Sequence, residues 1–146
     1  MKKFWMTVMA AAVAFAAAAC GETAATAENG LSQEEEEIVK IWAEGLASRD
    51  GKGRYDHMSK ACKETFEEEQ RFLLGDDWNY VIGFSSPWVV SFETEGSGNE
   101  AVITYTLEDN SQQYTLREHL VFGEENGETV VMQYYYDDMD GEENYE

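Results

Sequence analysis

Tyr114-Thr115-Leu116-Arg117-Glu118-His119-Leu120-Val121-Phe122 decides the fold. Alternate residues point to opposite sides of a strand. Tyr114, Leu116, Glu118, Leu120 and Phe122 therefore share one face, and Glu118 is the lone charge in an apolar row. The same period of two recurs on either side. Upstream, Ala101, Ile103, Tyr105 and Leu107 share a face, with Thr104 and Thr106 opposite; before them come Trp88, Val90 and Phe92. Downstream, Val130, Met132, Tyr134 and Tyr136 repeat the pattern. Turn-forming runs separate the strands: Glu95–Asn99, Asp109-Asn110-Ser111 and Gly123–Gly127. Connections this short predict an antiparallel meander of four strands.

Before Ser85-Ser86-Pro87 the period is helical. Ser32 with Glu35 three residues on reads as a capping box. Glu34 to Glu37 put negative charge at the positive end of the helix dipole; adjacent carboxylates fan around a helix, so this run is a solvated start and not a metal site. Ile38, Ile41, Trp42 and Leu46 form one buried stripe, and Gly51 is expected to end the helix as a left-handed cap. Tyr55, Met58, Cys62 and Phe66 continue the stripe, with a break near Ser59-Lys60 where Ser59 caps a second piece. Gly75-Asp76-Asp77 ends the helical half.

The fold class expected is α+β: N-terminal helices packed against a curved four-stranded antiparallel sheet, whose apolar face has only those helices to cover it. This order is similar to the cone-shaped nuclear-transport-factor-2-like fold. Trp42–Tyr55 with Met58-Ser59, and Ser85–Phe92 leading into the meander, resemble small bacterial lipoproteins of that type. The resemblance covers residues 33–136 and implies a fold; its motifs carry no chemistry.

The chain opens with Met1-Lys2-Lys3, and Phe4 to Ala19 is apolar but for Thr7. A basic start followed by an apolar run is the pattern of a secretory signal, and this run is shorter than the ~20 residues that span a bilayer. Ala18-Ala19-Cys20-Gly21 resembles the bacterial lipobox, although Ala17 stands where leucine is commonest. The resemblance implies cleavage before Cys20 and lipidation of its thiol, with palmitate-type chains holding the protein to the cell membrane on its extracytoplasmic face. Two chains anchor stably, at ~0.8 kcal/mol per buried methylene. Cleavage after Ala25-Thr26-Ala27 is the rival route and would release a secreted protein. Residues 1–19 are thus read as signal peptide, 20–32 as lipidated N-terminus and tether, and 137–146 as an acidic tail without calcium-loop spacing.

Thirty Asp and Glu stand against ten Lys and Arg, a formal charge of −20, and both leader charges are positive. Such a surface repels nucleic acid and anionic headgroups. Cys62 is the one other cysteine; with Cys20 lipidated, no internal disulfide forms, and an apolar core has to hold the domain.

No metal cluster, cofactor motif or nucleophile elbow is present, and no catalytic residue is assigned. Glu118 and His119 point apart and cannot form a dyad. Cys62 reads as a small buried hydrophobe and His57 as a surface histidine. A buried carboxylate has to be paired, protonated, at the mouth of the cone or functional; by face assignment Trp42, Trp88, Tyr105 and Glu118 are placed near a ligand pocket. The leading expectation is a non-enzymatic domain that binds a small apolar ligand or an envelope protein. The alternative is an isomerase-like or dehydratase-like enzyme with Glu118 as acid/base. A homodimer through the outer sheet face would use Thr104, Thr106, Thr115, Arg117, Gln133 and Tyr135.

Overall fold

A computed structural model describes residues 30–137. Cys20, the leader, the Ala27 site and the tail beyond Asp137 lie outside the described residues. The fold is α+β: α1 (Gln33–Ser48), α2 (Lys52–Asp56) and α3 (Lys60–Leu74), then β1 (Trp88–Ser97), β2 (Glu100–Glu108), β3 (Gln113–Glu125) and β4 (Glu128–Tyr136). The strands pair consecutively and antiparallel in an open sheet of order β1-β2-β3-β4. Among the described residues, no helix is long and apolar enough to cross a membrane.

The local signals act as their chemistry requires. Ser32 Oγ accepts from the Glu35 amide at 3.2 Å, and Glu35 accepts from the Ser32 amide at 2.7 Å, which completes the capping box. Ser59 caps α3 by accepting from the Cys62 amide. Its own N–H donates to the Val131 carbonyl, and the Val131 N–H donates to the His57 carbonyl. The α2–α3 junction thereby covers part of the free edge of β4. α1 ends differently from the expectation: Arg49, not Gly51, is the left-handed cap, with φ 60°. Gly51 is needed for close approach instead. A Cβ there would stand 2.8 Å from Ile82 Cγ2 and 2.9 Å from the Tyr80 carbonyl oxygen.

The core lies between the helices and one sheet face. Ile38, Val39, Trp42, Ala43 and Leu46 of α1, Met58, and Cys62 and Phe66 of α3 meet Ala101, Ile103, Tyr105, Leu120, Phe122 and Val131. The alternation on β2 and β3 holds throughout. Two bulges break it on the outer strands. In β1, Val89 pairs with Leu107 and Ser91 with Thr106, so Val90 is an extra residue. Val89 and Phe92 then pack on the core, whereas Trp88 and Val90, expected on the inner face, are 42% and 46% exposed. In β4, Met132 is the extra residue. Val131 is consequently fully buried while Met132, expected inward, is 44% exposed. An inserted residue shifts strand parity by one, and residue period alone does not reveal it.

The β3–β4 hairpin is also tighter than the five-residue loop expected. Asn126 and Gly127 alone turn the chain, with φ 55° and 82°, the positive pair that a two-residue hairpin needs to match strand twist. Between α3 and β1 the chain is irregular. There Trp78 and Tyr80 pack with Tyr55 and Phe66 at ring-centroid distances of 4.8 to 6.4 Å.

Candidate functional site

β3 delivers Glu118 to the inner face between Leu116 and Leu120, and there it is fully buried. A lone carboxylate at such a place would be held at large cost. Four donors meet it. Oε1 accepts from Trp42 Nε1 at 3.0 Å and Arg54 Nη1 at 2.9 Å. Oε2 accepts from Arg54 Nη2 at 3.0 Å and Tyr105 Oη at 2.7 Å. A carboxylate offers about four lone-pair positions, and all are taken.

Arg54 is as fully engaged. Its Nε donates to the Trp42 carbonyl at 2.8 Å, Nη2 also donates to Tyr105 Oη at 3.0 Å, and Nη1 reaches Tyr136 Oη at 3.5 Å. With the two bonds to Glu118, all five N–H groups of the guanidinium have partners. Its Cζ stands 5.0 Å from the Trp42 ring centre, a cation–π arrangement in a desolvated setting. Only 3% of Arg54 is exposed. Gly45 makes the room: a Cβ there would lie 3.3 Å from Arg54 Cγ and 2.9 Å from the Asp50 carbonyl oxygen.

The electrostatics follow from this enclosure. Burial acts to lower the Arg54 pKa, but the Glu118 charge outweighs it and the guanidinium is held more basic than usual. Tyr105 is pushed well above the ordinary phenol value by burial and by Glu118, and Tyr136 up to about 12 for the same two reasons. At neutral pH both phenols are therefore protonated; Tyr105 donates to the ion pair and Tyr136 accepts from it.

Of the residues placed around a pocket by strand and helix parity, the structure brings together Trp42, Tyr105 and Glu118. Trp88 is not among them, because the Val90 bulge turns it outward. The space between the three is filled by Arg54, which the sequence reading missed. Two signals pointed to it: a buried Glu118 has to find a cation, and small residues at Gly45, Gly51 and Gly53 surround a rare basic residue in an acidic chain. Neither says which cation, since the partners are 64 residues apart.

The two histidines and Cys62 lie apart from this cluster. His119 faces away from Glu118, stacks on Tyr135 at 4.7 Å, and places Nε2 2.9 Å from Asp137 Oδ1. His57 is half-buried, its Nδ1 2.9 Å from the Gly53 carbonyl oxygen. Cys62 donates its thiol to the Met132 carbonyl at 3.0 Å, and burial raises its pKa, which disfavours the thiolate. A surface groove of about 240 Å³ lies between α3 and β4, lined by Cys62, Thr65, Glu69, Met132 and Tyr134. Among the described residues, no three His, Cys, Asp or Glu side chains converge on a metal position. Comparison of the chain with protein-family models, curated protein sequences and solved structures gave no match.

Proposed function

We propose that this chain is a lipid-anchored extracytoplasmic domain of nuclear-transport-factor-2-like type that works by contact with another protein and not by catalysis. The observation that carries the non-catalytic half is the saturation of Glu118. A general base needs a free lone pair within reach of its substrate, and both oxygens here already accept two bonds each. To act, Glu118 would have to leave Arg54 uncompensated in the core, at a cost of about 3–5 kcal/mol. The same side chains occupy the place where a small apolar ligand would sit, which favours protein contact over ligand capture.

The cone-type assignment is supported by the order of three helices and a consecutive meander. The anchored half rests on the small-residue run ending in Cys20 behind a basic, apolar leader. Mass spectrometry of the mature N-terminus tests it. The expected product begins at Cys20 and carries added acyl mass; a product beginning at Glu28 without acyl mass contradicts the anchor. Cys20→Ala should move the protein from the membrane fraction to the soluble one.

A further inference from the structure

The buried stripe of α3, Cys62–Phe66–Gln70, runs on at helical spacing to Leu73 and Leu74, but the covering sheet does not. Leu73 is 70% exposed, Leu74 48% and their neighbour Phe72 89%. One turn earlier, the Gln70 amide donates to the Val81 carbonyl, which brings a further half-open apolar side chain to the same end. Phe72 projects about 100° round the helix from Leu73, so the three side chains ring the end of α3 rather than extend one stripe, and exposed apolar side chains gathered at one place suit a contact site better than scattered ones do.

Its position in the fold bears on what covers it. Gly30 hydrogen-bonds to Gly96, Glu34 accepts from Thr129, and the Lys60 amide donates to Glu125. The chain thus enters the domain, and α1 and α3 begin, at the end of the sheet that carries the β1–β2 and β3–β4 hairpins. α3 passes Met132 at Cys62 and Tyr134 near Glu69, so it travels away from that end for about 22 Å at 1.5 Å per residue. Phe72, Leu73 and Leu74 lie at the pole opposite the point where an N-terminal anchor would attach.

Charge selects among occupants. Glu68, Glu69, Asp76 and Asp77 flank the apolar tip and are exposed. The one cation of this stretch, Arg71, is bonded to Glu67 at 2.8 Å. A second copy of this chain, an anionic bilayer and the acidic tail of residues 138–146 would each bring like charge to the rim, and like charges across an interface oppose association. We infer that the tip formed by Phe72, Leu73 and Leu74 is a docking surface for a protein segment whose apolar side chains are flanked by Lys or Arg, such as a basic amphipathic helix. The inference rests on the protein-contact reading above and gives it a surface and a partner chemistry.

The test uses the mature protein as purified, held in phosphatidylcholine nanodiscs where the N-terminus is acylated, with empty discs as the blank. The probes are three synthetic helical peptides: Leu/Lys amphipathic, Leu/Glu amphipathic, and Ala/Lys of equal charge. The Leu/Lys peptide should bind most tightly. F72S/L73S, whose two side chains are exposed, should weaken it about tenfold or more, and Val90→Ser should leave it unchanged. The charge reversal D76K/D77K should weaken Leu/Lys binding and strengthen Leu/Glu binding, a change of preference that loss of folding cannot produce. Equal Leu/Lys binding to wild type and F72S/L73S overturns the inference. So does a dimer that F72S/L73S dissolves, which makes the occupant a second copy, or discs bound through the tip without peptide, which makes it lipid. These results leave protein contact elsewhere standing, whereas a small apolar molecule co-purifying inside the domain would remove the contact reading itself.

Discussion

Arg54 Nη1 and Nη2 donate in parallel to the two oxygens of Glu118, at 2.9 and 3.0 Å, in a site where neither residue is more than 3% exposed. The pair joins α2 to β3 and fixes the short helix to the sheet. Two-pronged geometry of this kind is specific to arginine. Arg54→Lys would leave at least two of the five donor contacts unmade, and it should lower the unfolding midpoint in urea almost as much as Arg54→Met does.

The neutral donors should matter less than the ion pair. Tyr105→Phe removes one donor to Glu118 Oε2 and the acceptor of Arg54 Nη2. Hydrogen bonds to charged groups contribute about 1.5–3 kcal/mol each, and a loss in that range is expected in chemical denaturation. Trp42→Phe should cost a similar amount through Oε1, plus the packing of the indole against Tyr134, whose ring centre lies 5.2 Å away.

Alkaline pH should loosen the core in a defined window. Burial and Glu118 raise Tyr136 to about 12 and Tyr105 higher still, against ~10 for an unfolded phenol. Between those values the folded state keeps protons that the unfolded state has released, so stability falls as pH rises. These phenols contribute no slope below about pH 10 and a decline from there towards pH 12. Tyrosinate absorbance should show Tyr136 and Tyr55 titrating about two pH units above free tyrosine, and Tyr136→Phe should reduce that step without abolishing it. A normal titration of all tyrosines would contradict the buried network.

Gly45 tests how tightly Arg54 is enclosed. Gly45→Ala brings a methyl to 2.9 Å from the Asp50 carbonyl oxygen and 3.3 Å from Arg54 Cγ. Overpacking of this size costs about 1–3 kcal/mol, more than any gain in helix propensity, so a lower melting temperature is expected.

Cys62 should behave as core. Its thiol bonds to Met132, its exposure is 9%, and burial raises its pKa. Native protein should react slowly with a thiol reagent and at full rate in denaturant. Fast native labelling would show that the α3–β4 groove opens.

The inner strands were legible in the sequence because each is covered on one face and neither is interrupted. Ala101, Ile103, Tyr105, Leu116, Glu118 and Leu120 kept the parity that their period predicts. The outer strands were not, because Val90 and Met132 are single insertions, and an edge strand tolerates an extra residue that a central strand would not. Ser32 and Ser59 announced their caps through local chemistry. Arg49 did not, because the bonds that hold this turn, from the Ile82 amide to its carbonyl and from the Gly51 amide to the Tyr80 carbonyl, come from residues distant in sequence. Glu118 was visible as a charge in an apolar row, and Arg54 was not, because a five-residue helix has too few turns to show a face.

The central claim is that Glu118 is a structural carboxylate closed by Arg54, and a double-mutant cycle on unfolding free energy tests it most directly. Glu118→Met and Arg54→Met should each cost about 3–5 kcal/mol by stranding a buried charge, while R54M/E118M should recover most of that loss. An E118M protein as stable as wild type would contradict the account and leave Glu118 free for chemistry.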